Sequence, residues 1–216
     1  SINNSNQLTD RASSEIKERR IIYPFIEAGL GKLNIDFIGI NPNLSAMNFQ
    51  SKFVAKFIAG VELHLDKKEK LITDFYISIY PYSFSASHTR SNSAGTSVTD
   101  TYELKATPVS MGIFVNYELF KIKTVRIALG VGYSLVINKI SKNSLTTTDK
   151  NQNGSFVFLT QPRITQSIGQ YSFDMDVFLN SKMSIRLAYL PLQDFSGLNF
   201  NSFRNKMISG SVKFRL

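Results

Sequence analysis

The last nine residues of the chain, Ile208-Ser-Gly-Ser-Val-Lys-Phe-Arg-Leu216, alternate between two chemistries without a break. Successive side chains of an extended backbone point to opposite faces. Ile208, Gly210, Val212, Phe214 and Leu216 therefore share one side, and Ser209, Ser211, Lys213 and Arg215 the other. The same period of two runs through Val125, Ile127, Leu129, Val131, Tyr133, Leu135 and Ile137, and through Phe53, Ala55, Phe57, Ala59, Val61, Leu63 and Leu65. A helix would scatter these residues around its axis. The chain is thus an all-β one, built from ribbons with one apolar face, and that face must be covered either by a protein core or by lipid.

Eight such ribbons can be placed: 22–37, 53–65, 71–84, 102–120, 125–138, 168–180, 183–195 and the closing strand. Their connections alternate in length. Segments 66–70, 121–124 and 180–182 are short, whereas 38–50, 85–100, 139–153 and 195–205 are long and rich in Ser, Thr, Asn and Gly. Asn153-Gly154 reads as a two-residue hairpin, and Pro162 belongs at a bulge or an edge because it cannot donate to a ladder. Residues 1–20 are polar, with a short helix capped by Thr9 or Asp10 or a mobile tail as the two readings, so the domain division is a tail over 1–20 and a barrel over 21–216.

No stretch approaches the roughly 18–20 apolar residues of a spanning helix, and mean hydropathy is only −0.08. A membrane β-barrel has just that profile, since only alternate residues meet lipid. Strands of some 11–14 residues exceed the roughly 5–6 of soluble sheets and suit the roughly 9–11 of a tilted membrane strand. Short turns on one end and long loops on the other complete the pattern. The expectation is an eight-stranded antiparallel up-and-down transmembrane β-barrel in the bacterial outer membrane. Phe57, Leu129, Val177 and Phe214 would face hydrocarbon.

The opposite faces carry charge of both signs. Lys56, Arg126, Arg186, Lys213 and Arg215 stand against Glu62, Asp74, Glu118, Asp174 and Asp176, five against five. Converging inside a narrow barrel, they would pair and fill the lumen with ions and tyrosines rather than leave a pore. Gly60, Gly112, Gly130 and Gly132 would give the long side chains room. The competing reading has the same charges on the wet outside of a soluble barrel whose interior binds a hydrophobic ligand; a small-solute porin is the third.

Several segments resemble the PorT-like outer-membrane β-barrel family of Bacteroidota: Phe25-Ile-Glu-Ala-Gly-Leu-Gly31, Lys56-Phe-Ile-Ala-Gly-Val-Glu62, Tyr102-Glu-Leu-Lys-Ala-Thr-Pro-Val109 and Ala128-Leu-Gly-Val-Gly-Tyr133. Gly210, Val212, Phe214 and Leu216 are similar to a terminal signal read by the barrel-assembly machinery, with Phe214 two places before the end, where the family usually carries its aromatic residue last. The resemblance implies a porin-like small barrel, without catalytic residues to carry over, acting as an accessory subunit beside other envelope proteins such as secretion or gliding machinery.

Other chemistries find little support. The absence of cysteine excludes disulfides and thiolate sites. Net charge is +9, but the basic residues are scattered and no basic face with interleaved aromatics suggests nucleic acid. His88 lies among serines upstream of Asp100, a segment expected to be a loop too mobile for a nucleophile and its base; His64 is assigned to the lumen with Glu62. No cofactor or metal motif stands out. A weaker expectation is a basic inner rim formed by Lys67, Lys68, Lys70, Lys121, Lys123 and Lys182, facing anionic headgroups or an acidic partner.

Overall fold

The computed structural model describes residues 22–39, 42–66, 70–91, 95–122, 125–149, 155–156, 167–194 and 201–216. The N-terminal tail, the Asn153-Gly154 hairpin, Pro162, and Lys67, Lys68 and Lys123 of the short turns lie outside these residues. The elements are β1 (Ile22–Gly39), α1 (Pro42–Ser45), β2 (Lys52–His64), β3 (Leu71–Ile79), β4 (Tyr82–Ser91), β5 (Ser97–Ile122), β6 (Val125–Asp149), β7 (Ser155–Phe156), β8 (Ser167–Phe178), β9 (Met183–Asp194) and β10 (Asn201–Arg215). All pairings are antiparallel. β1 is bonded to β2 on one side and to β10 on the other, where Phe25 meets Arg215 and Gly39 meets Asn201, so the sheet closes on itself. β3 and β4 are one wall strand interrupted at Tyr80-Pro81, and β7 only flanks the top of β6. The wall therefore has eight positions, as the alternation predicts. No helix among the described residues is long and apolar enough to cross a membrane.

The outward face carries an unbroken apolar belt. It includes Ile26 and Leu30 on β1, Phe57 and Val61 on β2, Phe75 and Ile77 on β3, Met111 and Val115 on β5, Leu129 to Ile137 on β6, Phe173 on β8, Leu187 on β9 and Phe214 on β10. Phe57 is 55% exposed, Leu129 48% and Phe214 45%, while Val177 is half-buried on the same face. So many large apolar side chains facing outward would be an aggregation hazard in water; in lipid they are the solvent-matched surface. Above the belt the outward positions turn polar at Lys32, Lys105, Lys139 and Lys206.

Two expectations are corrected. The expected long loops 85–100 and 139–153 are largely strand: β4 continues to Ser91, β5 starts at Ser97, and β6 runs on to Asp149. Above the membrane the outside of the wall meets water, so Ser83, Ser85, Ser87 and Thr89 face out and Phe84, Ala86 and Tyr102 face in. Such polar, β-competent residues look like loop when strands are sought by their apolar content.

The lumen, too, differs from a uniform plug of ions and tyrosines. Its lower part is charged, but its upper part is an apolar core of Leu33, Ile35, Val54, Tyr80, Tyr82, Phe84, Tyr102, Leu104, Leu190, Phe203 and Met207. Leu44 of α1 and Met47 just after it fold into it from above, and Phe49 meets Tyr102 and Phe203 edge-on at 5.9 and 6.0 Å. The protein is thus polar inside and apolar outside across the belt, and the reverse above it.

The change of storey coincides with two seams. β2 pairs with β3 only up to Phe57–Ile79, and β8 with β9 only up to Phe173–Tyr189. In each case a proline follows two residues later, Pro81 and Pro191, which has no N–H to give to a ladder. Going round the wall, the seams lie on opposite sides. Above them β4-β5-β6-β8 and β9-β10-β1-β2 are two separate four-stranded walls clamping the apolar core, a sandwich standing on a barrel.

Candidate functional site: the lumen and its outer mouth

The strongest chemistry lies in the lower lumen. Arg186 on β9 faces Asp176 on β8 in register and holds it in a two-point fork, Nε to Oδ1 at 2.8 Å and Nη2 to Oδ2 at 2.6 Å. Its guanidinium also donates to Asp74 of β3 across the bore, and lies 3.3 Å from Asp174 and 3.3 Å from Glu27. Lys213 of β10 bridges Glu62 and Asp74, both at 2.7 Å. Arg215 reaches Glu62 at 2.5 Å, and His64 shares the same carboxylate at 2.6 Å. Arg126 and Glu118 meet at 3.4 Å near the short-turn end. Rings cover the cations: Phe114 lies 4.7 Å from the Arg186 guanidinium and Phe25 4.3 Å from the Lys213 ammonium.

All ten charged residues read from the sequence thus point inward, and nine of them join through Arg186, Lys213, Arg215 or the Arg126–Glu118 pair. Asp174 receives a second partner in Asn116, whose amide donates to both carboxylate oxygens at 3.0 and 3.2 Å once its nitrogen is turned towards them. Lys56 is the exception. Among the described residues it makes no direct ion pair, and it feels Glu27 and Asp174 without touching either. It borders a cavity of about 10 Å³, shared with Tyr80, Ser172 and Leu190, which is room for about one water. Those four residues are the first unpaired positions of the two seams, so the cavity lies at the height where the barrel splits.

Glu27 was missed by the sequence reading. It sits on β1, buried, accepting from Ser211 and facing Arg186. The signal was present: Phe25, Glu27, Gly29 and Gly31 alternate with the exposed Ile26, Ala28 and Leu30, but Pro24 and the glycines blurred the pattern. With Glu27 the inward set holds six carboxylates against five cations, beside His64. The glycines have the foreseen role at Gly130, where a Cβ would run into Asn116 and Asp174, and at Gly60, where it would meet the Phe25 ring.

At the outer mouth the histidine reading changes setting. His88 is on a strand, not a loop, opposite Asp100. Asp100 is fully buried, accepting from Arg90 Nε at 2.7 Å and from Thr147 Oγ1 at 2.5 Å. Its carboxylate serves Arg90, and nothing orients it towards His88. Nearby, Tyr102 donates to Asn143 at 2.7 Å, with burial pushing its phenol up, and hydrogen bonding by Lys142 holds the Glu103 carboxyl below the usual range. Among the described residues no group of three or more His, Asp or Glu could hold a metal ion.

No family model matches the sequence, and no curated protein sequence matches it. Solved structures do. Neisserial surface protein A has a TM-score of 0.50 at 11% identity, covering 90% of this chain and 97% of its own. The outer membrane protein OprG from Pseudomonas aeruginosa has 0.42 at 8% identity, over 90% and 95%. The outer membrane protease OmpT from Escherichia coli has 0.38 at 7%, over 90% and 97%. The class is therefore that of the small bacterial outer-membrane β-barrels. This chain is an eight-position member of that fold, placed in the outer membrane by its closed sheet and lipid-facing belt. A shared fold leaves function to the site.

Proposed function

We propose that this chain is a non-enzymatic, non-conducting outer-membrane barrel that works as an accessory subunit of an envelope complex. One observation carries the reading: the bore is filled at both levels. Across the belt the side chains of Arg186 and Lys213 are 1% exposed inside a carboxylate cage, and above it the apolar core is closed by Met47 and Phe49. A solute would have to break buried ion pairs, which costs several kcal/mol. The resemblance to PorT-like barrels of Bacteroidota supports the same role, with the closing strand through Gly210, Val212, Phe214 and Leu216 engaging the assembly machinery. The part that projects beyond the membrane, β4 with the upper reaches of β5 and β6, is then the surface offered to other envelope proteins.

Planar-bilayer recording of the refolded chain tests the closed bore, and copurification from native membranes tests the accessory role. Absence of steady conductance together with a stoichiometric protein partner is the expected result. A stable open channel, or a chain recovered alone after mild solubilisation and cross-linking, overturns it.

A further inference from the structure

Among the described residues the two seams leave four strand edges without a neighbour, and the four are unlike. β2 offers five residues, Lys52–Lys56, with a lysine at each end; β9 offers Leu190–Asp194, interrupted by Pro191 and ended by an acid. β8 offers Ser167–Ser172, weakened by Gly169. β4 offers its whole length, Tyr82–Ser91, a row of main-chain donors and acceptors about 30 Å long. Among the described residues its only ladder partner is β5.

Natural sheets blunt such edges with lysines, prolines, bulges or brevity, because a bare edge recruits other strands. β4 uses none of these along its length. Its outward side chains are Ser83, Ser85, Ser87, Thr89 and Ser91, all small and uncharged; Pro81 lies just before it, and the β5 ladder beside it is regular. Its inward side chains, Tyr82, Phe84 and Ala86, belong to the apolar core. Only Arg90, near the far end, is charged, and Asp100 holds it.

We infer that the free edge of β4 is a docking site for an extended segment of a partner protein, which adds to the sheet by main-chain hydrogen bonding. This rests on the accessory-subunit reading and gives that subunit its mode of contact. The segment alternates, like its host: apolar side chains turned towards the core side of the sheet, small or hydroxylated ones turned to water. Two other occupants fit less well. The chain's own first residues lead into β1 at the short-turn end, the opposite end of the barrel from β4. A second copy in the same membrane has its β4 pointing the same way. The two-fold axis of a closed dimer would then run along the strands, whereas parallel ladder neighbours are related by a shift.

The test uses the full chain folded in lipid nanodiscs and a labelled synthetic peptide with the sequence of residues 97–106, which already matches β4 in alternation. Binding should slow amide exchange in residues 82–89, and N-methylation of alternate peptide nitrogens on the pairing edge should weaken it at least tenfold. Because neighbouring backbone N–H groups face opposite edges, Ser85→Pro and Ala86→Pro are compared. One breaks the β4–β5 ladder; the other should leave the folded barrel intact and weaken peptide binding tenfold or more. A peptide that fails to bind, or binds equally when N-methylated, overturns the inference. In native membranes, a benzophenone side chain at position 87 should cross-link to the copurified partner, and the barrel-preserving proline should release it. A partner retained by that variant sinks the edge while leaving the accessory reading standing, and cross-links between two copies of the chain sink the edge as well.

Discussion

Arg186 and Asp176 stand directly across the β8–β9 ladder, both inside the barrel, and their fork is the centre of the charged storey. Removing the arginine strands Asp74, Asp174, Asp176 and Glu27 together; Lys213 still pairs with Asp74, and Asn116 and Ser211 give Asp174 and Glu27 only neutral hydrogen bonds. Breaking a buried pair from one side typically costs about 3–5 kcal/mol, because the remaining charge cannot be solvated. Arg186→Met should lower the unfolding free energy read from a urea titration by that amount, with a matching fall in midpoint. Asp176→Asn should cost less, since Asp74 and Asp174 still hold the guanidinium. The chain contains no tryptophan, so unheated gel mobility in detergent is the practical readout of folding. Equal midpoints for Arg186→Met and the parent would mean that the network contributes nothing.

Glycines inside the bore and on its wall should respond oppositely to one added methyl. At Gly130 the new Cβ would overlap Asn116 and Asp174, whereas at Gly210 it would meet only Leu187 Cδ2 at an ordinary 3.5 Å. Overpacking a tight interior costs about 1–3 kcal/mol, while an unstrained glycine in a strand gains about 0.5–1 kcal/mol on becoming alanine. Gly130→Ala should therefore destabilise and Gly210→Ala should not. The two unfolding midpoints, measured side by side, decide it.

The belt and the charged bore were legible because a period of two survives any neighbour: once Phe57 faces lipid, Lys56 and Ile58 must face in. The upper storey was not legible by the same rule. There the outward environment changes from lipid to water partway along a single strand, so Ile79 and Ser83, which share a face, obey opposite preferences. Nothing local marks the switch except Pro81 and Pro191, and a proline alone does not reveal that two of them lie across the bore from each other. Glu27 escaped for a different reason: glycine carries no face, so β1 supplied too few marked positions to fix its phase.

That switch sets a sharp positional test. Val131 lies at the middle of the outward run Val125 to Ile137 and is 56% exposed, whereas Ser85 points the same way above the belt. An arginine at the bilayer midplane costs about 2–4 kcal/mol, falling towards zero outside it. Val131→Arg should impair folding into vesicles by that much, and Ser85→Arg should leave it unchanged. Similar penalties at both positions would place lipid much higher on the wall than the change in side chains indicates.

Phe203 tests whether the sandwich opens independently of the barrel beneath it. Its ring is fully buried, stacked on Tyr102 with centroids 5.2 Å apart, and packed against Phe37 and Phe49. It therefore ties β10, the segment from α1 to Phe49 and β5 together across the apolar core, while among the described residues no ladder crosses either seam at that height. Phe203→Ala removes those contacts and leaves a cavity, a loss of about 3–5 kcal/mol in a well-packed site. Without ladder bonds across the seams, the loss should stay above them. Amides of 98–106 and 142–149 should exchange faster, those of 112–117 and 129–135 should keep their protection, and the unheated gel shift should persist. Loss of protection spread evenly down both strands would show that the two storeys unfold as one and that the seams are no mechanical boundary.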